Sequence, residues 1–139
     1  MSRLILRQVD VTAGEVSKQA VVVLELHDTL YEGRRRLRNE ESVLYSVATA
    51  TLNAVNEVFY SQIHAKIDFN LQHVHELQPP YLKDSLFIAI LEAGIGHLSF
   101  RLVGAVISNQ HDWAQAVASA TLDAVNRLVQ YILELKNTL

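Results

Sequence analysis

The 139-residue sequence has no cysteine, only two prolines and five glycines, and a single tryptophan. Without cysteine there is no disulfide framework, thiol nucleophile or thiolate metal site, a usage that fits a reducing, cytoplasmic setting. No apolar run reaches the roughly 18–20 residues that a membrane span needs, so no membrane partner is expected. Met1-Ser2-Arg3-Leu4-Ile5-Leu6-Arg7 meets a second charge after only three apolar residues, which is not the pattern of a signal peptide. An excess of one charge is missing too. Twelve basic against fifteen acidic residues leave a net charge of −3, whereas general nucleic-acid binders tend to be basic. GxGxxG, the Walker GxxxxGKS/T and GxSxG are all absent. Gly94-Ile95-Gly96 lacks the downstream glycine and helix of a phosphate cradle. These patterns assign no catalytic residue and no cofactor.

What the chain does have is half its residues hydrophobic, enough to demand a packed core, and a length suited to one domain. It is also a repeat. Val47-Ala48-Thr49-Ala50-Thr51-Leu52-Asn53-Ala54-Val55-Asn56-Glu57-Val58-Phe59 returns seventy residues later as Val117-Ala118-Ser119-Ala120-Thr121-Leu122-Asp123-Ala124-Val125-Asn126-Arg127-Leu128-Val129, with eight of thirteen positions identical. Ordinary residue frequencies give about one chance identity in such a window. Upstream, the β-branched run Ala20–Leu26, the turn His27-Asp28-Thr29 and the segment Leu30–Arg38 correspond to Leu86–Glu92, Gly94-Ile95-Gly96 and His97–Ile107. Both read as strand, turn, strand. A third strand precedes each pair. In the second half Ile63, Ala65, Ile67, Phe69 and Leu71 alternate with polar residues, the period of a half-buried strand. In the first half Leu4–Val11 is noisier, with Ile5, Val9 and Val11 on one side. Each half therefore reads β-β-β-α, giving one domain of two repeats, 1–61 and 62–139. Pro79-Pro80 breaks the chain within the irregular stretch Val74–Asp84.

The first helix is expected from Glu41-Ser42 to about Tyr60, with Asn39 as cap and Glu40 and Glu41 on the positive end of the dipole. The second is expected after Asn109, with Asp112 in its first turn. Small residues along both helices predict close packing on a sheet or on each other, and Thr51 and Thr121 are expected to bond back to the preceding turn. Six mainly antiparallel strands and two helices predict an α+β two-layer sandwich, pseudo-twofold, with the helices on one face. Yet Val21-Val22-Val23-Leu24 and Phe87-Ile88-Ala89-Ile90-Leu91 are apolar on both faces, as in strands covered on both sides. Surplus apolar sheet surface implies a homo-oligomer, with a twofold dimer favoured.

Several residues invite chemistry. On a strand, His73 and His75 point the same way, but no spacing nominates a third ligand, so no metal is assigned. Glu25 and Glu92 occupy related strand ends, with His27 and His97 near the same hairpins. Asn56 and Asn126 share one repeat position. Arg34, Arg36 and Arg38 fall on one strand face and could grip phosphates, with Arg3 or Arg7 joining from the first strand, although Glu32, Glu40 and Glu41 flank them. The solvated edge strand is the competing reading.

The order β-β-β-α-β-β-β-α resembles the regulatory domain of 2-isopropylmalate synthase, in which two such units bind the feedback amino acid. The glycine-rich effector-binding motifs of that family are absent here, so no binding residue carries over. The helix Ala48-Thr49-Ala50-Thr51-Leu52-Asn53-Ala54-Val55-Asn56 is similar to those of small bacterial tandem-βββα proteins. The expectation is a non-catalytic, oligomeric interaction or small-molecule-binding module of regulatory type. An RNA- or DNA-binding protein using Arg34–Arg38 is the alternative, and an enzyme the third reading.

Overall fold

The computed structural model describes residues 3–13, 18–38 and 42–138. Asn39, Glu40 and Glu41, expected to cap and polarise the first helix, lie outside the described residues. The elements run β1 (Ile5–Ala13), β2 (Lys18–Leu26), β3 (Thr29–Arg36), α1 (Val43–Ile63), β4 (Asp68–Leu77), β5 (Ser85–Ile95), β6 (Leu98–Ser108), a 3-10 turn (Gln110–Asp112) and α2 (Trp113–Thr138). The strands form two antiparallel meanders, β1-β2-β3 and β4-β5-β6. The fold is α+β and two-layered, with two long helices, and the six strands divide into two three-stranded sheets.

Turn chemistry sets the hairpins. His27 and Asp28 both take positive φ, 49° and 65°, the requirement of a two-residue turn whose twist matches its strands. In the second repeat the turn is Gly96-His97, with Gly96 at φ 59°, because Ile95 still pairs with Leu98. Gly94 and Ile95, read from sequence as turn residues, are strand.

A bulge explains why the first strand looked irregular. The β1–β2 register shifts between Leu6 and Gln8, and the β4–β5 register shifts at the corresponding place, between Leu71 and His73. An extra residue reverses the inward phase. Leu4 and Leu6 therefore turn inward before the bulge and Val9 and Val11 after it, while Ile5 faces out at 44% exposure. The expected alternation from residue 62 is only partly strand. Helix α1 continues through Ile63 and closes at His64, whose φ of 55° lets its N–H donate to the Tyr60 carbonyl at 3.0 Å.

Ser42 caps α1 by accepting from the Leu44 N–H at 3.2 Å, and Asn109 caps the 3-10 turn leading into α2 by accepting from His111 N–H at 2.9 Å. The helices bury Val47, Ala50, Val55 and Val58, and Val117, Ala120 and Val125, against Ala20, Val22 and Leu24 of β2 and Phe87, Ala89 and Leu91 of β5. Thr51 and Thr121 donate to the Val47 and Val117 carbonyls, both at 2.8 Å, which satisfies two fully buried hydroxyls. Helix α1 packs on β2 and β3 and reaches β4; α2 packs on β5 and β6 and reaches β1. These reciprocal contacts tie both halves of the chain into one core.

The tightest contact is backbone on backbone. A Cβ placed on Gly33 would collide with the Ala50 carbonyl and the Ala54 backbone, and one on Gly104 with Ala120 and Ala124 in the same way. At Gly94 the nearest atom to such a Cβ is 3.7 Å away. Gly33→Ala and Gly104→Ala are each expected to destabilise by at least about 1–3 kcal/mol through overpacking. Gly94→Ala should stay within about 0.5 kcal/mol. Urea denaturation of the three variants checks this, and equal effects at all three sites would contradict the close-contact account.

Candidate functional site

Asn53 and Asn56 of α1, and Asp123 of α2, bond to the backbone at the two places where a helix meets the sheets. At the first, Asn53 Nδ2 donates to the Arg34 carbonyl on the open edge of β3 at 2.8 Å. Asn56 grips the approach to β4 with both ends of its amide. Its Oδ1 accepts from Ile67 N–H at 2.8 Å and its Nδ2 donates to Ile67 C=O at 3.0 Å. At the second crossing Asp123 Oδ2 accepts from the Ala105 N–H on the open edge of β6 at 3.1 Å. The Asn53/Asp123 substitution between repeats thus follows the polarity of the group each meets, a carbonyl in one and an N–H in the other.

Beside these clamps lie two unequal grooves. The first holds about 230 Å3 and is lined by Tyr45, Thr49, Asn53, Asn56, Asp68 and Asn70 among others. The second holds about 470 Å3, where Arg3, Ser119, Asp123 and Asn126 meet an apolar lining of Leu6, Val106 and Leu122. Its lining thus includes one basic, one acidic, one amide and one hydroxyl residue. Asn126, repeat partner of Asn56, lines this larger groove. A third groove of about 690 Å3 between the end of α2 and the His64–Ile67 link combines Ile63, Ile95 and Ile132 with Lys66 and Lys136.

Glu25 and Glu92 stand on the outward faces of β2 and β5, each beside an arginine. Arg7 binds Glu25 in a fork, Nε to Oε1 at 2.9 Å and Nη2 to Oε2 at 3.1 Å. That hydrogen bond, with the positive charge behind it, holds the Glu25 carboxyl below its ordinary pKa despite some desolvation. Arg101 lies 3.8 Å from Glu92. None of the three grooves is lined by Glu25, Glu92 or a histidine.

Arg34 and Arg36 face outward from the edge strand β3, with Arg38 exposed just beyond it. Arg34 pairs with Glu32 at 2.9 Å, and Asp10 lies in the same row across the sheet, opposite Val21. Arg7 and Arg3, expected to join this cluster, are placed elsewhere, the former on Glu25 and the latter in the 470 Å3 groove. His73 and His75 are exposed neighbours on β4, with Nδ1 of the first and Nε2 of the second 3.4 Å apart. Among the described residues no three His, Asp or Glu side chains group to hold a metal ion.

The largest feature missed from sequence is a difference between the outward sheet faces. Val22 pairs with Val9 and Gly33, and Ala89 pairs with Val74 and Gly104. These anchors align the repeats. On the first strands Gln8, Asp10 and Thr12 correspond to His73, His75 and Leu77. On the middle strands Gln19, Val21 and Val23 correspond to Leu86, Ile88 and Ile90. On the third strands Glu32, Arg34 and Arg36 correspond to Val103, Ala105 and Ile107. The first outer face sets Gln8, Asp10, Glu32, Arg34 and Arg36 around two valines, with Ile5 and Leu30 exposed at its hairpin end, while the second is apolar over the matching stretch, beside two histidines. The signal was present in the apolar, alternating Leu102–Ile107 segment, but only the register shows which face it joins.

No protein-family model matches the chain, and no curated protein matches it. Among the described residues no helix is long and apolar enough to cross a membrane.

Asn56→Ala leaves the buried Ile67 backbone without its two side-chain partners and is expected to cost about 1–3 kcal/mol in urea denaturation. Glu25 supplies a different test. Its contribution stands in full above the ordinary carboxylate pKa and is lost as pH falls through the lowered one. Glu25→Gln should therefore flatten the acid-side loss of stability between about pH 5 and pH 2. Denaturation midpoints across that window decide it, and an unchanged slope would exclude the Arg7 pairing.

Proposed function

We propose that this protein is a non-catalytic, oligomeric module of regulatory type that binds a small polar molecule at the larger junction between its repeats. The observation that carries this reading is the 470 Å3 groove, where Arg3 and Asp123 set a cation and an anion beside Asn126 and Ser119. Such an arrangement suits a compact ligand carrying both charges and a short apolar part. Charge-assisted hydrogen bonds supply the affinity and orient the ligand. Both repeats contribute to the groove, so occupancy there would stiffen one repeat against the other. The resemblance in element order to the amino-acid-binding regulatory domain of 2-isopropylmalate synthase supports the same class of ligand. The alternative, an RNA or DNA partner on Arg34, Arg36 and Arg38, has against it the Glu32 carboxylate on Arg34 and the mixed charge of that face.

Ligand-observed NMR with a panel of α-amino acids and short carboxylates tests the groove. At least one member is expected to bind, and Arg3→Ala should weaken it about tenfold or more, the worth of one charge-assisted hydrogen bond. If no member binds, or if binding survives Arg3→Ala and Asn126→Ala unchanged, the groove reading is wrong. Salt-dependent binding of an RNA or DNA oligonucleotide, lost in Arg34→Ala plus Arg36→Ala, would favour the alternative instead.

A further inference from the structure

The two repeats act as an internal control on each other. They share a bulge at the same place, a glycine pressed on the helix, the threonine back-bonds and a buried inner face. Their outward faces have parted. Where the first repeat carries Glu32, Arg34 and Arg36, the second carries Val103, Ala105 and Ile107, with Val103 59% and Ile107 58% exposed. The backbone therefore accepts charge at these positions, so apolar residues there are not a requirement of the fold. An apolar face that a folded monomer does not need is a contact surface.

We infer that the outward face of β4, β5 and β6 is where a second copy of this chain docks, closing a twofold dimer sheet on sheet. The inference rests on the oligomeric part of the reading above and is independent of the junction groove. Its area suffices. Three strands about 4.8 Å apart and about 35 Å long present a footprint of about 500 Å2, and two copies reach the roughly 1,000 Å2 that a specific interface needs. Its charges favour a copy of itself over a charged partner. Glu92 and Arg101 stand side by side on the face, 3.8 Å apart. An axis across the strands at the level of Ala89 would lay Ile88 of each copy on Ile90 of the other and keep the two Glu92 carboxylates apart. On the first repeat's outer face Glu32, Arg34 and Asp10 interrupt Val21, Val23, Ile5 and Leu30, and burying those charges opposes an apolar partner. Contact between unlike faces, which would propagate into a filament, is thereby disfavoured, and a closed pair results.

Sedimentation equilibrium of the full chain at micromolar concentration is expected to return twice the 15.6 kDa protomer mass. The triple variant Val103→Glu, Ala105→Arg, Ile107→Arg transplants the first repeat's own residues, so its circular dichroism and melting should remain those of a folded protomer. Its dimer dissociation constant should rise at least about 100-fold, since each copy would bring charges into a desolvated contact. As a second measurement on the unaltered chain, the methyl resonances of Ile88, Ile90 and Ile107 should move on dilution while those of Val21 and Val23 stay fixed. A dimer that persists in the triple variant, with dilution shifts elsewhere, overturns this surface but leaves the oligomeric reading standing. A monomer at all concentrations overturns both and gives the face to a different partner. Neither result bears on ligand binding in the junction groove.

Discussion

The whole architecture depends on how closely each helix lies on its sheet. Gly33 and Gly104 bring a strand backbone against the backbone of Ala50–Ala54 and Ala120–Ala124. At that separation the helix positions facing the two glycines take nothing larger than alanine, which accounts for Ala50, Ala54, Ala120 and Ala124. Close approach also lets short polar side chains do what long ones do elsewhere. Asn53 and Asp123 reach the open edges of β3 and β6 from the helix surface, covering strand edges that would otherwise invite pairing with another chain. Helix position, edge protection and the junction grooves are consequences of one contact made twice.

Each repeat makes this contact once, and each helix also packs on the first strand of the other repeat's sheet. Helix α1 reaches β4, and α2 reaches β1, so neither repeat completes its core alone. The copies then diverged where the fold is indifferent. At the junctions, Asn56 clamps Ile67 beside the smaller groove, while the larger groove gathers Arg3, Asp123 and Asn126. On the outer faces one sheet carries charge where the other is apolar. Function in such a scaffold is found in the differences between equivalent positions, since the similarities are accounted for by packing.

Much of this was legible from residue order. The eight identities between Val47–Phe59 and Val117–Val129 revealed the duplication, and the β-branched runs before them revealed the strand pairs. The helix at 43–63 overran its expected end because Ile63 suits a helix as well as a strand, and only the left-handed His64 decides where it stops. The irregular first strand had no simple period because the bulge at Leu6–Gln8 reverses it. Glu25 and Glu92 hold equivalent register positions, although what each meets, a forked Arg7 or a more distant Arg101, depends on strand register.

Local sequence alone determined the order of elements, the His27-Asp28 turn, the small-residue helix faces and the two-layer class, because each rests on periodicity or backbone preference within a few residues. Tertiary structure alone decided that six strands make two sheets, that Arg3 joins Asp123 and Asn126 in a groove, and that seven apolar residues from three strands share one open face. Those are meetings between residues far apart in the chain. Their physical cause is register, and a single-residue shift in register turns every side chain of a strand to the opposite side.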